Sequence, residues 1–163
     1  MKQSNYIAAA LFAVGLLSLS QRTFAGPTAD QTVSFEVQAI DQISVSGSPS
    51  LVISSATAGG APDSATASGT YAISTNQSDR KITAQLDSDM PSGVTLNANL
   101  AAPTGATSAG SQSLSTTPVD VVTGISTVNE SGKNISYTLS ATSAAGVVPA
   151  ASRTVTYTVT AGS

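Results

Sequence analysis

The chain has 163 residues, a net charge of −3, 9% charged and 4% aromatic residues, and no Cys, His or Trp. Without Cys and His there is no thiolate or imidazole chemistry and no common zinc ligand. A sparse acidic surface excludes nucleic acid and anionic membranes as partners.

The chain opens with Met1-Lys2, an apolar run from Ile7 to Leu19, and Thr23-Phe24-Ala25. A basic start, a short apolar core and a small-residue site predict a secretory signal peptide over 1–25, cleaved after Ala25. The alternative is a membrane anchor. Spanning takes ~20 apolar residues, and no basic stop-transfer cluster follows, so no stable membrane span is expected after processing. The expected location is secreted, extracellular or periplasmic, at the cell surface. Residues 26–163 would form a single domain of 138 of the 163 residues, with a net charge of −5 once Lys2 and Arg22 are gone.

From Thr32 to Ala39 apolar and polar residues alternate, with Val33, Phe35, Val37 and Ala39 on one parity. That predicts a half-buried strand. Ile43-Ser-Val45 and Leu51-Val-Ile53 repeat the pattern around the Gly47-Ser-Pro49 break. Residues 54–69 lack periodicity and read as a long loop. A three-stranded meander is expected next, over 71–75, 82–86 and 94–100, with turns at Asn76–Asp79 and Asp89–Gly93. Residues 101–118 read as a second loop, with Leu114 covering the core edge. Val119 to Ile125 predicts a strand with a bulge at Gly124. Asn129-Glu-Ser-Gly132 reads as a turn.

The last thirty residues organise the rest. Ile135-Ser-Tyr137-Thr-Leu139-Ser-Ala141 recurs nearly letter for letter as Val155-Thr-Tyr157-Thr-Val159-Thr-Ala161. Each segment offers a Tyr and two aliphatics to one face. No segment of 26–163 sustains a period of 3.6. The expectation is an all-β, antiparallel, two-sheet immunoglobulin-like sandwich of seven to nine strands, with a jelly roll as the alternative. Its core would hold Phe35, Tyr71, Ile82, Leu86, Leu96, Tyr137, Leu139, Val155 and Tyr157.

Candidate chemistry is sparse. Asp79, Asp87 and Asp89 supply carboxylates for a calcium ion, but without a ligand loop they read as solvated turns. A Ser–Lys pair would need Lys81 or Lys133 in an apolar setting, and both lie near turns. Glu36 and Glu130, the only glutamates, read as outward or turn residues rather than a glycosidase pair. Asn76-Gln-Ser, Asn129-Glu-Ser and Asn134-Ile-Ser are formal glycosylation acceptors. No catalytic residue, metal site or cofactor is expected. What remains is an edge. Thr32–Ala39 carries only Glu36, and Thr154–Ala161 carries no charge, so neither has the charges that blunt sheet edges. If the first of these is donated to a neighbour, Val33, Phe35 and Val37 fill its pockets. The alternative is that it pairs within its own domain.

The run from Tyr71-Ala-Ile-Ser-Thr-Asn76 through Met90-Pro-Ser-Gly93-Val-Thr-Leu96 to Thr154-Val-Thr-Tyr157-Thr-Val-Thr160 resembles secreted bacterial β-sandwich proteins of the fimbrial and spore-coat-U-like kind. The resemblance spans most of residues 26–163. It implies a structural, non-catalytic subunit of a pilus, coat or matrix that self-associates or binds other surface proteins. The alternative from composition alone is a monomeric binding module that grips a ligand with loops 54–69 and 101–118.

Overall fold

The structure, a computed structural model, describes residues 26–162. The expected signal peptide lies outside them. The chain divides between Glu36 and Val37. Of the first unit, 26–36 are exposed throughout and form no helix or strand. No helix among the described residues is long and apolar enough to cross a membrane.

The second unit is an all-β sandwich. Its strands are β1 (Asp41–Ser46), β2 (Ala65–Thr75), β3 (Arg80–Leu86), β4 (Val94–Leu100), β5 (Thr107–Ser108), β6 (Gln112–Ser113), β7 (Val119–Ile125), β8 (Val128–Ala141) and β9 (Val155–Ala161). A five-stranded sheet runs β1-β2-β8-β4-β6 and a four-stranded sheet runs β5-β7-β3-β9. Every pairing is antiparallel. Their inner faces bury Tyr71, Ile73, Ile82, Leu100, Ile125 and Ile135 almost completely. Each large apolar side chain so buried contributes ~1.5–3 kcal/mol. Of the expected core, Ile82, Leu86, Leu96 and Tyr137 join Tyr71 inside, and Leu139, Val155 and Tyr157 pack against it half-buried. Phe35 does not: it is 93% exposed.

Four expectations are corrected. The segment 71–100 is not a meander. β2 and β4 belong to one sheet and β3 to the other, so the chain crosses the core twice. Alternation marks a strand but not its sheet. Residues 32–39 form no strand, and Leu51–Ile53 alternates without a ladder partner, although Leu51 still packs on the core. The expected loop 54–69 gives its end to β2, and the loop 101–118 contains β5 and β6. Leu114 in that second loop is buried, as expected.

The fourth correction is Asn129–Gly132, which is a bulge inside β8 and not a turn. Tyr71 opposes Lys133 while Ile73 opposes Glu130, so three steps of β8 face two of β2. Gly132, at φ +67°, supplies the left-handed residue that a bulge of this kind uses. The extra residue inverts the parity, so Val128 and Ile135, seven apart, both point inward and are buried. The bulge expected at Gly124 is present, since β3 and β7 slip between Arg80↔Ile125 and Ile82↔Val122. A second slip follows before Thr83↔Asp120, and the adjacent Val121 and Val122 are both fully buried there.

Candidate functional site

Three residues that the alternation puts on one parity, Val33, Phe35 and Val37, are 73%, 93% and 79% exposed. Exposed single apolar residues are ordinary, but these three alternate along one short segment. Where the segment joins the sandwich it is held. The Ile40 amide donates to Asn76 Oδ1 at 2.8 Å, and Asn76 Nδ2 donates to the Gln38 carbonyl at 2.8 Å. The Asn76 amide donates to the Ile40 carbonyl at 3.3 Å. At the same end, the Asp41 carboxylate pairs with Arg80 and accepts the Thr75 hydroxyl at 2.7 Å. Arg80, then Thr75, holds the Asp41 carboxyl below its ordinary range, against the opposing effect of burial.

The second component is β9. It pairs with β3 and has no other ladder partner among the described strands, so its outer side is an open edge of the four-stranded sheet. β1, at the edge of the other sheet, lies beside it. Val155, Tyr157 and Val159 pack against the core and stay half-buried at this edge. The two repeated segments meet here. Tyr137 of β8 and Tyr157 of β9 lie on opposite sheets with their hydroxyls 2.8 Å apart. Burial raises both hydroxyls above the ordinary tyrosine value. Tyr71, whose hydroxyl donates to the Ala101 carbonyl at 2.6 Å, is pushed up to about 12 by burial and by the Glu130 carboxylate.

The other candidate groups are occupied in holding the fold. Lys81 pairs with Asp120 at 3.2 Å and Lys133 with Glu130 at 2.9 Å. Glu130 also accepts the Thr104 amide at 2.8 Å, and Thr104 and Lys133 together hold its carboxyl down to about 2. Asp87 accepts the Thr154 amide at 3.1 Å, and Asp89 accepts the Thr116 amide and hydroxyl, each at 3.1 Å. Asp79 is kept apart from them at the β2–β3 turn, where its carbonyl accepts the Gly162 amide at 2.7 Å. The described residues contain no group of three acidic side chains able to hold a metal. Asn129 accepts a hydrogen bond from Ser74, and Asn134 donates one to Ser136.

The loops offered as gripping elements are tied down. Residues 54–64 close on themselves through the Ala56–Pro62 bridge and the Asp63 carboxylate, which accepts the Ser55 hydroxyl at 2.8 Å. Segment 101–118 is bonded into both sheets, by Leu114 to Leu96, Ser115 to Leu86 and Ala109 to Val121. Two shallow hollows lie over adjacent strands, one between β2 and β8 and one between β1 and β2, and neither contains a charged residue.

No protein-family model matches the chain, and no curated protein matches it.

The alternation over 32–39 predicts a half-buried strand, whereas the segment is exposed and forms none. The role of Asn76 at its root was not legible, because Asn76 reads locally as an ordinary turn residue.

Proposed function

We propose that the protein is a secreted, non-catalytic structural subunit of a bacterial cell-surface assembly, joined to its neighbours by β-strand addition. The segment 32–39 is the donor and the bare edge of β9 is the acceptor. One observation carries the reading: Val33, Phe35 and Val37 alternate as strand residues, yet stand in water. Covering each would recover ~1.5–3 kcal/mol, and the main chain of an uncharged edge supplies the matching hydrogen bonds. The binding-module alternative draws no support from the loops, one of which closes on itself while the other is bonded into both sheets.

Deletion of 26–37 from the mature chain tests this, with mass measured by light scattering after size exclusion. Loss of oligomers, with uptake of an added peptide spanning 26–40, is the expected result. Oligomers that persist unchanged overturn the assignment, and a wild-type chain that is monomeric at all concentrations favours the binding module.

A further inference from the structure

Asn76 does more than close the β2–β3 turn. Its backbone amide binds the Ile40 carbonyl, which extends the β1–β2 ladder one residue beyond Asp41↔Thr75. Its side chain accepts the Ile40 amide and donates to the Gln38 carbonyl, so both ends of the amide grip the incoming chain. Gln77 Nε2 donates to the same Asn76 oxygen at 2.8 Å and fixes the rotamer. The chain is therefore tethered to the β2–β3 turn as far as Gln38.

Strand direction gives this clamp a consequence. β1 begins and β9 ends at one end of the sandwich, because Asp41 opposes Thr75 and, just past the turn, Arg80 opposes Ala161. A segment before Gln38 that folded back onto its own domain would run toward that same end. It would lie parallel to β9, and it would need a sharp reversal within Gln38–Ile40, the residues that Asn76 holds. Parallel pairing is slightly the less stable per residue. The same segment from a second copy carries no such tether and is free to lie antiparallel to β9.

We propose that Asn76 is a positioning residue that directs the donor segment away from its own domain, so that the occupant of the β9 edge is segment 32–39 of a second copy, antiparallel to β9. This rests on the strand-addition reading above.

Three variants test it: Asn76→Ala, the deletion of 26–37, and the two combined. Loss of the clamp is expected to raise the concentration for half-assembly ~tenfold, as befits the loss of one or two net hydrogen bonds. The Asn76→Ala monomers are expected to refuse an added 26–40 peptide, because their own segment fills the edge. Adding the deletion is expected to restore uptake, which also shows that the substituted domain is folded. Asn76→Asp keeps the acceptor for Ile40 and loses the donor to Gln38, and is expected to fall between. Assembly of Asn76→Ala at the wild-type concentration overturns the inference. So does peptide uptake by its monomers equal to that of the deletion variant, or failure of the combined variant to take up peptide. Oligomers that survive the deletion alone identify the strand-addition reading as the one that failed.

Discussion

Thr32–Ala39 and Val155–Ala161 carry the same alternation and meet opposite fates. The second pairs with β3 along its whole length, and its Tyr157 reaches across the core to Tyr137. The first forms no strand and presents Phe35 to water. Period-two patterning thus specifies a ribbon with one apolar side, and it is silent about which chain supplies the other side. What separates the two is the route by which each enters the sandwich. β9 follows the link 142–154, which returns the chain beside β3, where the Asp87 amide donates to the Thr154 carbonyl at 3.0 Å. Segment 32–39 leads into β1 through Gln38 and Ile40, both bonded to Asn76.

The contrast is broken most severely at an interior position. Ile82→Ala, at a fully buried site, is expected to cost ~2–5 kcal/mol in urea unfolding. Phe35→Ala should leave the isolated domain within ~0.5 kcal/mol of wild type, as at other surface positions. A comparable loss from both would place Phe35 in the core after all.

Next in size is the tyrosine pair. Tyr157→Phe removes the hydrogen-bond partner of the buried Tyr137 hydroxyl and is expected to cost ~1–3 kcal/mol. Replacing both by Phe should cost less than the two single changes added together. A double-mutant cycle measures the difference, and additivity would mean the hydroxyls do not interact.

A smaller effect comes from pH. The folded Glu130 carboxyl is held at about 2, below its ordinary value, so its contribution is complete above about pH 5 and is lost as pH falls toward 2. Asp41 shifts in the same direction. Tyr71 is raised to about 12, so its contribution is complete below about pH 10 and fades as pH climbs toward 12. Urea midpoints should be flat between pH 5 and 9 and fall on both sides, and tyrosinate absorbance should appear together with unfolding. Substitution of Glu130 by Gln should flatten the acid limb alone.

The smallest effect is expected from Lys81→Met, which removes a partly exposed pair with Asp120 and should cost ~0–1 kcal/mol, less in high salt.

The sandwich class, strands β3, β4, β7 and β9 and most of the core were legible because Val, Ile, Leu and Tyr keep strict parity through β3, β4 and β9. The assignment of strands to sheets was not, because β2, β3 and β4 look alike locally while the chain changes sheet at each turn. Gly132 misled for a physical reason. A glycine among polar residues serves a turn and a bulge equally well, and only the register of β2 against β8 separates the two. At the candidate site, Val33, Phe35 and Val37 stood out by alternation, whereas Asn76 acts on residues 36 and 38 positions away in sequence and left no local mark.

The position of β8 has a kinetic consequence. β8 is the central strand of the larger sheet, between β2 and β4, and its pairings run from Thr75↔Val128 to Ala65↔Leu139. Neither β2 nor β4 gains this central partner until the chain is nearly complete, and closing loops of that length slows folding toward milliseconds to seconds. During that interval β2 and β4 both expose unpaired apolar edges. A chain exported unfolded would cross into its destination in that state, so the speed with which β8 docks decides how much of it folds before it meets another copy.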